Sequence, residues 1–198
     1  GYSTGLTGLG VNGSGDMAPD HSINLNTSVV SGDSKTGISL YGFSRERKMF
    51  DANNDGYSEI APMNNLTLGT RFFHRPGLRS KIAIDFFNIK EERNGGNRQD
   101  YPLHEREIGE AVKHDIKTGA ITYEKYIREY DLFTAFASFQ HLLRDSYYGA
   151  GRSLKDYGRS EDLTYNTGIQ YKAFMGNSSL IAGLETTGGA LKDEKLGY

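Results

Sequence analysis

Cysteine is absent from the 198 residues, which removes disulfides, thiolate metal sites and thiol nucleophiles together. Neither sign of charge dominates. The 23 basic residues stand against 25 acidic ones, so no overall field recruits nucleic acid or an anionic membrane surface. No apolar run approaches the roughly 18 residues of a membrane helix, an absence that does not bear on strands. No basic segment followed by an apolar run opens the chain, so we expect a leader already removed or an imposed boundary. Hydrophobic residues reach only 36%, yet aromatics reach 12% and there are 25 glycines. That balance suits strands whose apolar side chains line one face only.

Period-two alternation is what the sequence offers in place of these features. In residues 22–31, Ile23, Leu25, Thr27 and Val29 fall on one side, and Asn24, Asn26, Ser28 and Val30 on the other. Residues 65–73 repeat the pattern, with Leu66, Leu68, Thr70 and Phe72 opposite Asn65, Thr67, Gly69 and Arg71. Residues 163–173 repeat it again, through Leu163, Tyr165, Thr167, Ile169 and Tyr171. Further strands are expected at 36–47, 80–90, 119–128, 132–143 and 179–186. Another is expected at 3–11, where Gly5, Gly8 and Gly10 weaken the pattern.

The connections carry more information than the strands. Short turns are expected at 32–35, 75–79, 128–131 and 174–178, and long connections at 12–21, 48–64, 91–118 and 144–162. Short and long alternate strictly, as they do in a transmembrane barrel with short periplasmic turns and long extracellular loops. The expected fold is therefore all-β: an antiparallel meander of about 8–9 strands, forming part of a transmembrane β-barrel. Aromatic residues near strand ends (Tyr41, Phe43, Phe72, Phe73, Tyr123, Tyr126, Tyr130, Tyr171 and Phe174) suit interfacial girdles, and ordinary β-propensity would account for them as well. One short polar helix is expected within 103–116.

One motif stands out for its chemistry. Asp51, Asn53 and Asp55 are followed by Gly56, Tyr57 and Glu59, the opening of a calcium loop: oxygens at positions 1, 3 and 5, glycine at 6, a backbone carbonyl at 7. Position 12 is Pro62, so the bidentate glutamate of an EF-hand is missing. A solvated Asn/Asp/Gly turn has the same composition. Asp51, Asn53, Asp55, Tyr57 and Glu59 are the candidate Ca²⁺ ligands. Tyr147 and Tyr148 either stack on a ligand at a barrel mouth or pack their loop. His104 beside Glu105, and His114 beside Asp115, lack the context of a metal helix or a nucleophile, so no active site is expected.

These residues resemble a known family. Arg45, Glu46 and Arg47 before the Asp51 loop look like the early barrel of TonB-dependent outer-membrane receptors of the Bacteroidetes type. So do Asn94, Gly95, Gly96 and Asn97 with His104 and Glu105, and Arg144 to Gly151 followed by Tyr157, Gly158, Asp162, Leu163 and Thr164. The resemblance implies a barrel of about 22 strands enclosing a plug. It further implies import of cobalamin, haem, a siderophore or a glycan, energised by TonB through the plug. A surface lipoprotein is an implied partner, outer-membrane lipid the surroundings, and Ca²⁺ in the extracellular loops a shared feature with cobalamin receptors. The sequence departs from the family in having no TonB box, no plug and no terminal aromatic strand, so by itself it is expected not to transport. Two other readings stay open. One is a soluble, calcium-dependent, adhesin-like module in which two sheets meet; the other is a β-rich hydrolase using Glu105, Glu107 or Asp145.

Overall fold

In the computed structural model, residues 1–7 and 17–196 are described. They form β1 (Tyr2–Thr7), β2 (Ala18–Val30), β3 (Thr36–Arg47), β4 (Tyr57–Ser58), β5 (Met63–Gly77), β6 (Ser80–Asn97), β7 (Ile108–Tyr126), β8 (Leu132–Ala150), β9 (Tyr157–Met175) and β10 (Ser178–Lys195). Nine of these make one antiparallel meander in the order β1-β2-β3-β5-β6-β7-β8-β9-β10, and the two-residue β4 pairs with β6. The sheet is not closed: β1 and β10 are its two edges. The fold is all-β and antiparallel, as the alternation requires. The tail of the strand expected at 3–11, residues 8–11, lies outside the described residues.

Period two fixes what each face carries. Partner by partner, Ile23, Leu25 and Val29 of β2 share a face with Ile38 and Leu40 of β3, and with Leu66, Leu68 and Phe72 of β5. The same face continues through Ile82, Ile84 and Phe86, then Ile121 and Tyr123, Phe133 and Phe139, Tyr165 and Ile169, and Leu180 and Leu184. The opposite face carries Asp20, Arg45, Asn65, Arg71, Asp85, Glu91, Arg93, Arg144 and Asn166. There it is stitched by Arg45–Asp20 at 2.6 Å and Arg71–Asp85 at 2.6 Å. Glycines on this face let rings lie flat across neighbouring strands: Phe87 covers Gly69, where a Cβ would collide with the ring.

Among the described residues, no second layer covers the apolar face. Ile23 is 57% exposed, Leu25 62% and Val29 67%. Among the described residues, the buried hydrophobic ones are Ala18, Phe50, Met63 and Tyr147, all toward the long-connection end. The accessible surface is 12947 Å², whereas a globular chain of this mass exposes about 9,300 Å². The stripe read from residues 22–31 is therefore not a sealed two-sheet core.

The register also sets a slope. Val29, Ile38, Phe72, Ile84, Ile121, Ala137, Thr167 and Thr186 form one continuous row of cross-strand partners. Val29 lies one residue from the short-turn end of β2, and Thr186 lies eight from that end of β10. The row thus climbs seven residues over seven strand-to-strand steps. At about 3.3 Å per residue and 4.8 Å per strand, strands whose short turns share one level tilt by about 35°.

Several expectations need correction. The connections expected at 91–118 and 144–162 are mostly strand, with irregular backbone confined to 98–107 and 151–156. Likewise β2 begins at Ala18, inside the connection expected at 12–21. The helix expected within 103–116 is a single 3₁₀ turn at Leu103–Glu105, and β7 starts at Ile108. Ladders on both sides of β7 overrule any local helical preference there. What conceals these strand ends in the sequence is charge. On the apolar face, beyond the apolar rows, Glu92, Lys113, Asp145, Arg159 and Glu194 stand directly opposite one another on five successive strands, alternating in sign. Opposite charges across a ladder stabilise it by about 0.2–1 kcal/mol per pair, yet carry no hydrophobic signal. The aromatic girdle is corrected too: Phe72, Tyr123 and Tyr171 lie on the apolar face, whereas Tyr41, Phe43 and Phe73 lie on the polar one.

Candidate functional site at the long-connection end

Connection 48–62 folds over the end of β3, β5 and β6. Phe50, 1% exposed, exchanges backbone hydrogen bonds with Ile60, and β4 pairs Tyr57 with Asn97 and Ser58 with Gly96. Ser58 donates its hydroxyl to the Gly96 carbonyl at 3.1 Å and accepts the Gly96 N–H at 3.0 Å. The tip between these anchors is the acidic motif. Asp51 Oδ1 accepts N–H groups from Asn54 at 2.7 Å and Asp55 at 3.2 Å, and Asp51 Oδ2 accepts from Gly56 at 2.7 Å. Asn54 and Gly56 take positive φ, 62° and 80°, to let the chain wrap around that carboxylate. Glu59 Oε2 accepts from Ala52 N–H at 2.7 Å.

The folded tip brings Asp51, Asp55 and Glu59 together, each with a carboxylate oxygen within 4.8 Å of the others. Asn53 lies beside them, its Nδ2 donating to Asp55 Oδ2 at 3.0 Å. Three carboxylates at this spacing have the chemistry to hold a hard divalent cation, while the Asn53 Oδ1 accepts the Asp55 N–H. Tyr57 meets the tip through its backbone N–H, which donates to Asp55 Oδ1 at 2.8 Å.

Next to the tip, on the polar face, is a cavity of about 540 Å³ whose walls include Arg47, Glu59, Arg93, His114, Arg144 and Tyr148. Of its lining, the sequence named Tyr57, Glu59 and Tyr148 as site candidates and set His114 aside, whereas Arg47 and Arg144 entered only through the family resemblance and Arg93 not at all. Their signal was parity alone: Arg47, Arg93 and Arg144 all fall on the polar side of their strands. Tyr148 is 58% exposed, but Tyr147, one residue away, faces the other side and is 1% exposed. The Tyr147 hydroxyl donates to the Ser153 carbonyl at 3.0 Å, and its ring lies 4.7 Å from that of Tyr157. Tyr147 packs its loop, so its assignment as a ligand contact is withdrawn. Tyr148 remains a candidate.

Connection 98–107 is pinned by a residue that no motif flags. Arg106 is 3% exposed. Its guanidinium donates to Asn94 Oδ1 at 2.6 Å, the Tyr101 carbonyl at 2.8 Å and the Gln99 carbonyl at 2.9 Å. Burial lowers its pKa from the ordinary arginine value, and Asp100 opposes that shift. His104 shares a hydrogen bond with the Tyr157 hydroxyl at 3.1 Å, closer than its 4.0 Å approach to Glu105. His114 and Asp115 point to opposite faces of β7. Asp145 pairs with Arg159 at 2.6 Å on the apolar side, and Glu107 accepts from Asn97 Nδ2 at 3.2 Å. Glu105, Glu107 and Asp145 thus do not converge on one another.

No family model matches the chain, and neither a curated protein nor a solved structure matches it.

Proposed function

We propose that this chain is an arc of a bacterial outer-membrane β-barrel belonging to a TonB-dependent receptor that takes up a small nutrient. The observation that carries the reading is the single-layer sheet: among the described residues, apolar on one face with no second layer over it, polar and ion-paired on the other. Water would penalise such a face, because exposed contiguous apolar surface of this extent drives association. Hydrocarbon would satisfy it, with the polar face lining a wet interior. Supporting the same reading, strictly alternating short and long connections give the sheet two unlike ends, and a tilt of about 35° falls at the lower edge of the barrel range.

In this reading the long-connection end faces outside the cell, and the cavity beside Tyr148 is part of the mouth that meets the nutrient. Cobalamin, haem, a siderophore or a glycan is the cargo class, TonB the energy source through a plug domain, and a surface lipoprotein a candidate partner. The tip carboxylates Asp51, Asp55 and Glu59, with Asn53 and the Tyr57 carbonyl, would hold Ca²⁺, which would neutralise them and tighten connection 48–62.

The test is where the protein, expressed from its complete coding sequence, resides. Recovery with outer membranes, extraction only by detergent, and a mobility that changes on boiling before electrophoresis are the expected results. Recovery in the aqueous fraction as a stable monomer without detergent would overturn the proposal and favour the soluble, calcium-dependent module.

A further inference from the structure

The cavity beside the acidic tip is walled by arginines from three strands, and the register brings them together. Arg47 of β3 and Arg93 of β6 are both direct partners of Met63 on β5, so their Cα atoms lie two strand spacings apart, about 10 Å. Met63, between them, is buried. Arg93 faces Val112, and Val112 faces Ser146, so Arg144 of β8 stands two strands farther on and one polar-face step below that row.

The hydrogen bonds show which of these charges is engaged. Arg93 donates from Nε to Glu91 Oε1 at 2.9 Å, and Glu91 Oε2 accepts from Asn65 at 3.2 Å. Glu59, in the same wall, turns its carboxylate to the tip, where it accepts the Ala52 N–H. Arg47 and Arg144 bond to neutral oxygens instead. Arg47 gives Nε and Nη2 to the Ala61 carbonyl, and Arg144 gives Nη2 to the Ser160 hydroxyl at 2.9 Å. Ser160 in turn donates to Asp193, which fixes the hydroxyl that orients Arg144. Two guanidinium charges are thus set against the one remaining acid of the wall, Glu110, which lies opposite Gly95 and Tyr148.

Among the described residues, Nη1 of all three arginines has no acceptor. A guanidinium held on one side, with N–H donors left over on the other, is suited to gripping a carboxylate or phosphate. The cavity, about 540 Å³, is within the range of small-molecule sites, about 300–1,000 Å³. Tyr148 adds an exposed ring to the same wall.

Resting on the transport reading above, we infer that this cavity binds an anionic group of the nutrient, a carboxylate or a phosphate, with Arg47 and Arg144 as its charge partners and Tyr148 alongside. Arg93, already paired with Glu91, contributes less. The cargo is thereby narrowed to one that carries carboxylates or phosphates, and an uncharged glycan is set aside.

Citrate and pyrophosphate are the probes, one for each chemistry, with maltose as the neutral comparison. Each is titrated by calorimetry at low ionic strength into the protein expressed from its complete coding sequence. The expected result is saturable binding of citrate or pyrophosphate but not of maltose, weakened about tenfold by Arg47→Gln and by Arg144→Gln. Whichever anion binds identifies the chemistry. Arg71→Gln, on the same face but paired with Asp85, should leave binding unchanged. The inference is overturned if neither anion binds saturably, if maltose binds as well as the anions, if the Arg47 and Arg144 variants bind as the parent does, or if Arg71→Gln loses as much as they do. Unboiled-gel mobility checks that each variant folds. Where a glutamine variant does not, lysine at the same position keeps the charge and removes the fork; a several-fold weakening is then expected, and unchanged binding overturns the inference. Recovery in the aqueous fraction would instead refute the membrane reading, and the same titration of that soluble protein would still decide the cavity.

Discussion

Replacing Ile121 by arginine distinguishes hydrocarbon from water on the apolar face. Ile121 sits on β7 between Ile84 and Ala137 and is 46% exposed. It lies five residues from the short-turn end of β7 at Tyr126. At about 3.3 Å per residue and a tilt of about 35°, that is about 14 Å of depth, close to the middle of an apolar band about 25 Å tall. Arginine at a lipid-facing midplane costs about 2–4 kcal/mol, a factor of about 30 to 700 in the folding equilibrium at 1.4 kcal/mol per tenfold. Were the face in water, the same substitution would fall within about 0.5 kcal/mol of neutral. Ala120→Arg is the control: one residue away, it faces the polar side opposite Asp85. The measurement is the urea midpoint of the protein, expressed from its complete coding sequence and refolded into phosphatidylcholine vesicles, with folded fraction read from unboiled gels. The expected result is a large loss for Ile121→Arg and a small change for Ala120→Arg. Equal effects, or a larger penalty at 120, would refute the assignment of faces.

Other predictions concern the connections. Arg106→Ala removes the guanidinium from three part-buried acceptors and should destabilise connection 98–107 by about 1–3 kcal/mol, seen as faster amide exchange there with little change in β7 to β9. Gly96 has φ of 98°, and a Cβ would strike the Ile108 carbonyl, so Gly96→Ala should cost about 1–3 kcal/mol in the same equilibrium assay. The Asp131 carboxylate is held below its usual range by the Phe174 N–H and then the Tyr171 hydroxyl. A folded value below the unfolded one contributes stability above the unfolded pKa, about 3.9, and loses it as pH falls through the folded value. Asp131→Asn should therefore flatten the acid limb of the stability curve. Chelation should speed proteolysis within 48–62 if Ca²⁺ is held, and Asp51→Asn with Asp55→Asn should abolish the difference between calcium and chelator.

Part of this was legible in the linear chain, and the reason is geometric. A pleated strand sends alternate side chains to opposite faces, so Ile23, Leu25 and Val29 announced both a strand and its greasy side before any partner was known. The start of Thr36–Arg47 was legible because Gly32, Asp33 and Ser34 precede it. The acidic tip was legible for a similar reason: Asp51, Asn53, Asp55 and Gly56 interact within a few residues of one another, and local spacing is what sequence records. Interactions across the sheet are not recorded that way. Glu92 looked like loop because its partner, Lys113, lies across the ladder, and Lys113 is opposed in turn by Asp145. Arg106 looked like any surface arginine until three acceptors from residues 94–101 closed around it.

Composition and periodicity thus determined the class of element, the division into an apolar and a polar side, and the sites of the short turns, all consequences of backbone pleat and local turn chemistry. Only the tertiary structure decided how far the strands run, that Tyr147 is buried while Tyr148 is not, and which charges face one another across the ladders. Those outcomes depend on which strand lies beside which and in what register, and pairing between residues tens of positions apart leaves no imprint on either segment read alone.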